Sequence, residues 1–202
     1  MMKRTWAAMM VTGVLVSGLA AAAGNPEAGA TKSAVCAACH GANGNSVNPE
    51  WPSLAGLGAD YIVAQLTNFK EGKRANPIMM PNAMALSPED MADLAAYFNS
   101  QRNTGLEADP ATAPAGQKLF RAGDKARGIP ACMACHGPAG RGNEAAKFPA
   151  LRGQHSVYTV KQLQDYASGA RATGPNGIMQ TIAKKLTADD MRNVASYLQG
   201  IR

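Results

Sequence analysis

Cys36-Ala37-Ala38-Cys39-His40 occurs a second time as Cys132-Met133-Ala134-Cys135-His136, 96 positions later. A C-x-x-C-H run is the pattern of covalent c-type haem attachment. Two thiols three positions apart can each add to one of the porphyrin's two vinyl groups as thioethers. The adjoining histidine then lies under the iron as its first axial ligand. All four cysteines, Cys36, Cys39, Cys132 and Cys135, fall inside the two motifs, so none is left for a disulfide. Two C-x-x-C pairs could instead hold zinc through four thiolates, but structural zinc pairs are separated by about 15–20 residues. A four-thiolate site also has no use for a histidine after each pair. A thioredoxin-like motif needs a βαβ context, and no strand-rich segment flanks either run. The pattern predicts two covalently bound haem c groups.

Working outward from the motifs, the chain is duplicated. Trp51-Pro52-Ser53-Leu54-Ala55-Gly56 matches Phe148-Pro149-Ala150-Leu151-Arg152-Gly153 at an offset of 97. The same offset pairs Tyr61 with Tyr158, Gln65 with Gln162, Phe69 with Tyr166, Gly72 with Gly169 and Arg74 with Arg171. After a three-residue insertion the offset becomes 100, pairing Ile78-Met79 with Ile178-Met179, Asp90-Met91 with Asp190-Met191, and Tyr97 with Tyr197. The expected organisation is a first haem domain over 24–102, a linker over 103–114 rich in Gly, Ala, Asp and Pro, and a second haem domain over 115–202.

Each copy reads as all-α. A first helix leads into the haem motif, from about Pro26 and from about Ala115, with extra residues around Gly123–Gly128 predicting a loop in the second copy. A middle helix is expected over Asp60–Glu71, where Ile62, Leu66 and Phe69 share one face, and its equivalent over Ser156–Ser168. Gly72 and Gly169 stand where a glycine would stop each helix. Ser87-Pro88-Glu89-Asp90 reads as a serine N-cap, proline at the first helical position and acids in the first turn. Thr187-Ala188-Asp189-Asp190 repeats it without the proline.

Each iron needs a second axial ligand. His155 is the one histidine outside the motifs, so bis-histidine ligation at both irons is excluded. Its position after Gly153-Gln154 at a helix start predicts a surface role. Methionine is the other strong donor. In the second copy Met179 lies 43 residues after His136, in a stretch with Gly174, Pro175 and Gly177 that reads as irregular. The first copy offers Met79, Met80 and Met84. The duplication favours Met79, which lies eight residues before its helix cap as Met179 does; Met80 and Met84 stay as alternatives. Methionine opposite histidine favours ferrous iron and fills the coordination shell, as an electron carrier requires. Pro52 lies 12 residues after His40 and Pro149 lies 13 after His136. Each is a candidate carbonyl acceptor for the ring N–H of the adjacent histidine.

Lys3 and Arg4, an apolar run from about Ala7 to Ala20, and Ala21-Ala22-Ala23 read as a secretory signal peptide cleaved after about Ala23. Export fits covalent haem, which is attached on the outer side of the bacterial membrane. Aromatics make up 5% of residues, sparse for two domains this small, and a porphyrin in each would supply the missing core. Charge is uneven: Gly24–Asp109 holds five basic and nine acidic residues, Pro110–Arg202 thirteen and five. With no basic run, nucleic acid is excluded as a target, and the asymmetry suits docking on a redox partner. Lys147, Arg152, Lys161 and Arg171 are the expected docking cations, for an acidic partner surface or anionic lipid.

C-x-x-C-H, then P-x-L-x-G, then a methionine before the last helix resembles a class I cytochrome c domain. Two in tandem resemble the dihaem cytochrome c4 family, as do the runs Cys36–Ser46 (CAACHGANGNS), Pro149–His155 (PALRGQH), Tyr158–Leu163 (YTVKQL) and Met179–Leu186 (MQTIAKKL). The resemblance covers nearly the whole chain after residue 23. It implies two packed domains with haems near their interface, in a periplasmic protein with peripheral membrane association. It also implies electrons taken from a quinol-oxidising cytochrome bc complex and passed to a terminal oxidase. The axial ligands it implies are His40 with Met79 and His136 with Met179; Met80 beside Met79 departs from the family pattern. No flavin, nicotinamide or substrate-binding motif is present, so the expectation is a carrier and not an enzyme. The rival readings are a dihaem subunit of a larger redox enzyme, such as a sulfide-oxidising flavocytochrome, and a dihaem peroxidase, which needs an open iron.

Overall fold

Ser87 and Thr187 start the two helices on which each half of the molecule is built. Ser87 Oγ accepts from Asp90 N at 3.1 Å while Asp90 Oδ2 accepts from Ser87 N at 2.9 Å. Thr187 and Asp190 repeat the exchange at 3.1 and 2.8 Å. Two of the otherwise orphaned groups at each helix start are thereby satisfied. These helices run over Pro88–Ser100 and Ala188–Gly200.

The computed structural model describes residues 24–201; the signal-peptide reading falls on 1–23, outside them. In chain order the first half holds α1 (Pro26–Lys32), α2 (Ala34–His40), α3 (Ala59–Lys70), α4 (Met79–Met84) and α5 (Pro88–Ser100). The second holds α6 (Ala113–Ala122), α7 (Met133–His136), α8 (Ser156–Ser168), α9 (Ile178–Ala183) and α10 (Ala188–Gly200). The described residues contain isolated bridges but no strand. The all-α expectation holds, with shifts at the edges. The middle helix spans 59–70, one residue early, and α6 begins at Ala113, so the non-helical connection ends at Thr112 inside the expected linker. The first helix is broken at Ser33, which closes α1 and opens α2. Met179 does not lie in irregular chain: like Met79, it sits in the first turn of a short helix.

In both halves the first helix crosses the last at a glycine. A Cβ at Gly29 would lie 2.0 Å from Asp93 O, and one at Gly116 1.9 Å from Asn193 O. No side chain fits there, so the two backbones touch. The first core gathers Ile62, Leu94, Ala95 and Phe98, the second Leu119, Phe120, Ile129, Val194 and Leu198. Met91 and Met191 are buried on the inner faces of α5 and α10. In contrast, α8 has no fully buried residue. Its apolar face, with Thr159, Leu163 and Tyr166, looks onto a cavity.

The halves join through residues that the duplication pairs. Arg74 donates to Gln65 Oε1 of its own half at 2.9 Å and to Tyr158 OH and Gln162 Oε1 of the other at 2.9 and 2.6 Å. Arg171 donates to Gln162 Oε1 at 2.8 Å and across to Tyr61 OH and Gln65 Oε1 at 2.9 Å each. The contact is reciprocal, as in a twofold dimer. It corrects one expectation: Arg171 is 4% exposed, because its Nη1 and Nη2 are spent on the interface, and it cannot meet a docking partner.

Candidate haem sites

The cysteines and histidines sit where helix ends meet loops. α2 carries Cys36, Cys39 and His40 and is stopped by Gly41 at φ +78°; α7 ends at His136 before Gly137 at φ +78°. Turning sharply there, the chain leaves each histidine ring buried and facing inward. His40 Nδ1 lies 2.8 Å from Pro52 O, and His136 Nδ1 lies 2.9 Å from Pro149 O. A carbonyl only accepts, so Nδ1 carries the proton in both rings and Nε2 is left as the free lone pair. Burial holds both imidazoles below the ordinary histidine range, which favours the neutral form a metal needs.

His40, His136 and all four cysteines line one cavity of about 1610 Å³ that runs across both halves. Single ligand pockets measure roughly 300–1,000 Å³, so this space suits two large groups. Met79 and Met179 are on its wall; Met80 and Met84 are not, and Met84 is 60% exposed. The helical phase of α4 separates these neighbours. Asn76 Oδ1 accepts from Ile78 N and Met79 N at 3.0 and 2.9 Å, fixing the start of that helix. The equivalent turn before Met179 has no such side-chain cap; Asn176 and Gly177 adopt φ +53° and +63°.

The walls fit haem. Leu54, Ile62, Leu66 and Leu94 line one side, Leu151, Leu163, Ile182 and Leu198 the other. Burial pushes the Cys36 thiol up and the Cys132 thiol up to about 11. Burial of this kind suits neutral thioethers, which carry no charge to desolvate. Among the described residues no three His, Cys, Asp or Glu side chains converge on a metal position, so the cysteines do not form one shared cluster. Arg171 Nε and Thr173 Oγ1 are buried without a partner, and both residues line the cavity. Such atoms ask for an acceptor, and the carboxylates of a haem are of that kind.

Several residues had no reading of this sort in the sequence. His155 is 6% exposed, its Nε2 lying 2.8 Å from Ser46 O of the other half. The expected surface role is corrected, because the neighbouring domain covers the ring. Gln154, Ser46 and Ser53 share that contact. Arg74 and Arg171 were visible as a matched pair, but nothing local says what a matched pair touches.

The family described as Cytochrome c matches residues 26–102 and again 113–202. The chain is 48% identical to cytochrome c4 of Pseudomonas aeruginosa, over 92% of this chain and 93% of that one. It is also similar to the thiosulfate dehydrogenase electron acceptor of Stutzerimonas stutzeri, at 39% identity over 87% and 83% of the two chains. Reduced recombinant cytochrome c4 from Pseudomonas stutzeri superimposes with a TM-score of 0.86 at 46% identity, covering 89% of this chain and 100% of that one.

Proposed function

The chain belongs to the cytochrome c4 family of dihaem electron-transfer cytochromes c and carries two covalent haem c groups, and from that premise we propose that it shuttles electrons in a periplasmic respiratory chain, from a quinol-oxidising cytochrome bc complex towards a terminal oxidase. In this reading the haem units are 24–102 and 115–202, joined by a linker over 103–114, and residues 1–23 export the chain. Membrane association is peripheral in this reading; among the described residues no helix is long and apolar enough to cross a membrane.

Cys36 and Cys39 would hold the first haem covalently, with His40 and Met79 as the residues to ligate its iron; Cys132 and Cys135 would hold the second, with His136 and Met179. Bound haem supplies one-electron exchange between ferric and ferrous iron. The chain does the rest. Pro52 and Pro149 lock each histidine in one tautomer and one plane. The methionine sulfurs of Met79 and Met179 would favour the ferrous state and leave no position open for a substrate, as suits a carrier without substrate chemistry of its own. Exposed Lys147 and Lys161, with half-buried Arg152, are the remaining cations for docking on the positive half.

The observation that carries the reading is that each histidine–proline pair shares its cavity wall with one methionine, in both halves. The test uses holoprotein and membranes holding a quinol-oxidising complex and an oxidase, followed by stopped-flow absorbance. Quinol-dependent reduction and oxygen-dependent reoxidation are expected, both slowing as salt screens the docking charges. Failure of the membranes to reduce the protein would sink this route.

The likeness to a thiosulfate dehydrogenase electron acceptor favours a second reading, as the electron-accepting partner or subunit of a larger redox enzyme that oxidises a sulfur compound. Faster reduction by such an enzyme with its substrate than by the quinol-oxidising complex would select it.

A further inference from the structure

Gln154 grips Ser53 from across the domain boundary. Its Oε1 accepts from Ser53 N at 2.9 Å and its Nε2 donates to Ser53 O at 2.9 Å, so one amide holds both backbone polar groups of one residue. Ser53 directly follows Pro52, whose carbonyl accepts from His40 Nδ1. His155, next to Gln154, donates through Nε2 to Ser46 O at 2.8 Å. Ser46 N donates to Ser53 Oγ at 3.2 Å, and Ser46 Oγ lies 3.0 Å from the carbonyl of Cys39. Ser46, Ser53 and His155 are all buried. The loop 46–53 is therefore pinned by the second domain at both ends and, through Tyr158 N donating to Pro49 O at 3.2 Å, in its middle; Pro52, beside the Gln154 pin, carries the carbonyl that faces the first histidine.

The grip runs one way. At the same offset, Gly153-Gln154-His155 corresponds to Gly56-Leu57-Gly58, and Ser53 corresponds to Ala150. The first domain thus has no amide or imidazole with which to return the contact. It meets the loop before Pro149 through Ala59 N, which donates to Glu144 Oε1 at 3.1 Å, an exposed contact five residues from that proline.

We infer that Gln154 is a positioning residue for the first iron, through Ser53 and Pro52, and that the second domain thereby sets the strength of the His40 Nδ1–H···O bond. The inference rests on His40 being the axial ligand. A carbonyl acceptor raises the basicity of a ligating imidazole, and a more basic ligand stabilises ferric iron. Releasing Ser53 lets the Pro52 carbonyl drift, weakens that bond and destabilises the ferric state, so the potential of the first haem rises. The second haem keeps its potential, because Pro149 is not held this way.

The experiment compares the holoprotein with Gln154→Ala, Gln154→Glu and Tyr158→Phe. Gln154→Glu keeps the acceptor for Ser53 N and loses the donor; Tyr158→Phe removes a cross-domain hydrogen bond to Arg74 without touching Ser53. Both potentials are read by spectroelectrochemical titration, and exchange of the histidine Nδ1 protons by NMR of the reduced protein. Gln154→Ala should raise the first potential and speed exchange at His40 while leaving the second potential and His136 unchanged. Gln154→Glu should speed exchange at His40 to a smaller degree, while its added negative charge pulls the first potential the other way, and Tyr158→Phe should leave exchange at His40 unchanged. An unmoved first potential or equal shifts at both haems in Gln154→Ala, or the same faster exchange in Tyr158→Phe, would overturn the inference. Failure of the ligand reading shows separately, as His40 ring protons without haem-induced shifts in the unmodified protein.

Discussion

The two halves keep the same aromatic pair in their cores but draw it from different helices. Tyr97 and Tyr197 are equivalent, and their rings pack at 5.1 and 5.4 Å against Phe98 and Phe120. Phe98 lies on α5, where the second half has Leu198; Phe120 lies on α6, where the first half has Ser33. Bulk lost from one helix has reappeared on the helix it crosses. Around the two haem-motif histidines, by contrast, little has moved: the histidine–proline hydrogen bonds differ by 0.1 Å between 2.8 and 2.9 Å. A core asks only that volume be filled, whereas a ligand set asks for particular atoms in particular places. Divergence accumulates in the first and in the connections, as between Ser33 and the Gly123–Cys132 loop.

The largest effect that can break this equivalence is expected at the methionines. Met79→Leu and Met179→Leu should each turn one haem into a carbon monoxide-binding form with a lowered potential, because the thioether that favours ferrous iron is gone. Met80→Leu and Met84→Leu should leave both irons closed. A carbon monoxide difference spectrum of each variant decides, and opening by Met84→Leu alone would break the register between the halves. Met179 sits behind a turn without a side-chain cap, so the comparison sharpens if the unmodified protein binds carbon monoxide slowly at the second iron only.

Next come the cores. Phe98→Ala and Phe120→Ala should each cost about 3–5 kcal/mol, read from urea unfolding of the holoprotein. Equivalence predicts similar losses although the residues occupy different helices. A loss below about 1 kcal/mol at either would show that haem packing alone supports that half.

The smallest effect concerns acid. Asp190 is held down to about 2, from an ordinary 3.8, first by the Arg127 guanidinium; Asp90 is also lowered, first by Lys32. A carboxyl depressed in the folded state stabilises it above the unfolded value and loses that contribution as pH falls through the folded value. Stability from Asp190 should therefore fade between pH 3.8 and about 2. Asp190→Asn should flatten the urea midpoint across that window. Arg127 belongs to the loop peculiar to the second half, pinned to Asp124 and Asp190 at 2.7 and 2.5 Å. Arg127→Ala should flatten it too, while Lys32→Ala should act on the Asp90 side.

What the sequence by itself determined is whatever chemistry is complete within a few neighbouring residues. Two thiols and a histidine in five positions specify covalent haem, and a hydroxyl three residues from an aspartate specifies a cap. An apolar residue every third or fourth position specifies a buried face, because 3.6 residues make a turn. The duplication carried the ligand expectation one step further, from Met179 to Met79, and both line the cavity. Tertiary structure alone decided the rest. His155 is buried only because Ser46, 109 residues away, covers it. Arg171 is removed from the docking surface by Tyr61 and Gln65, 110 and 106 residues away. Gln154 reaches the loop that holds His40 only once the domains have closed on each other. A hydrogen bond depends on distance in space, and separation along the chain carries no information about which polar groups meet once two surfaces pack.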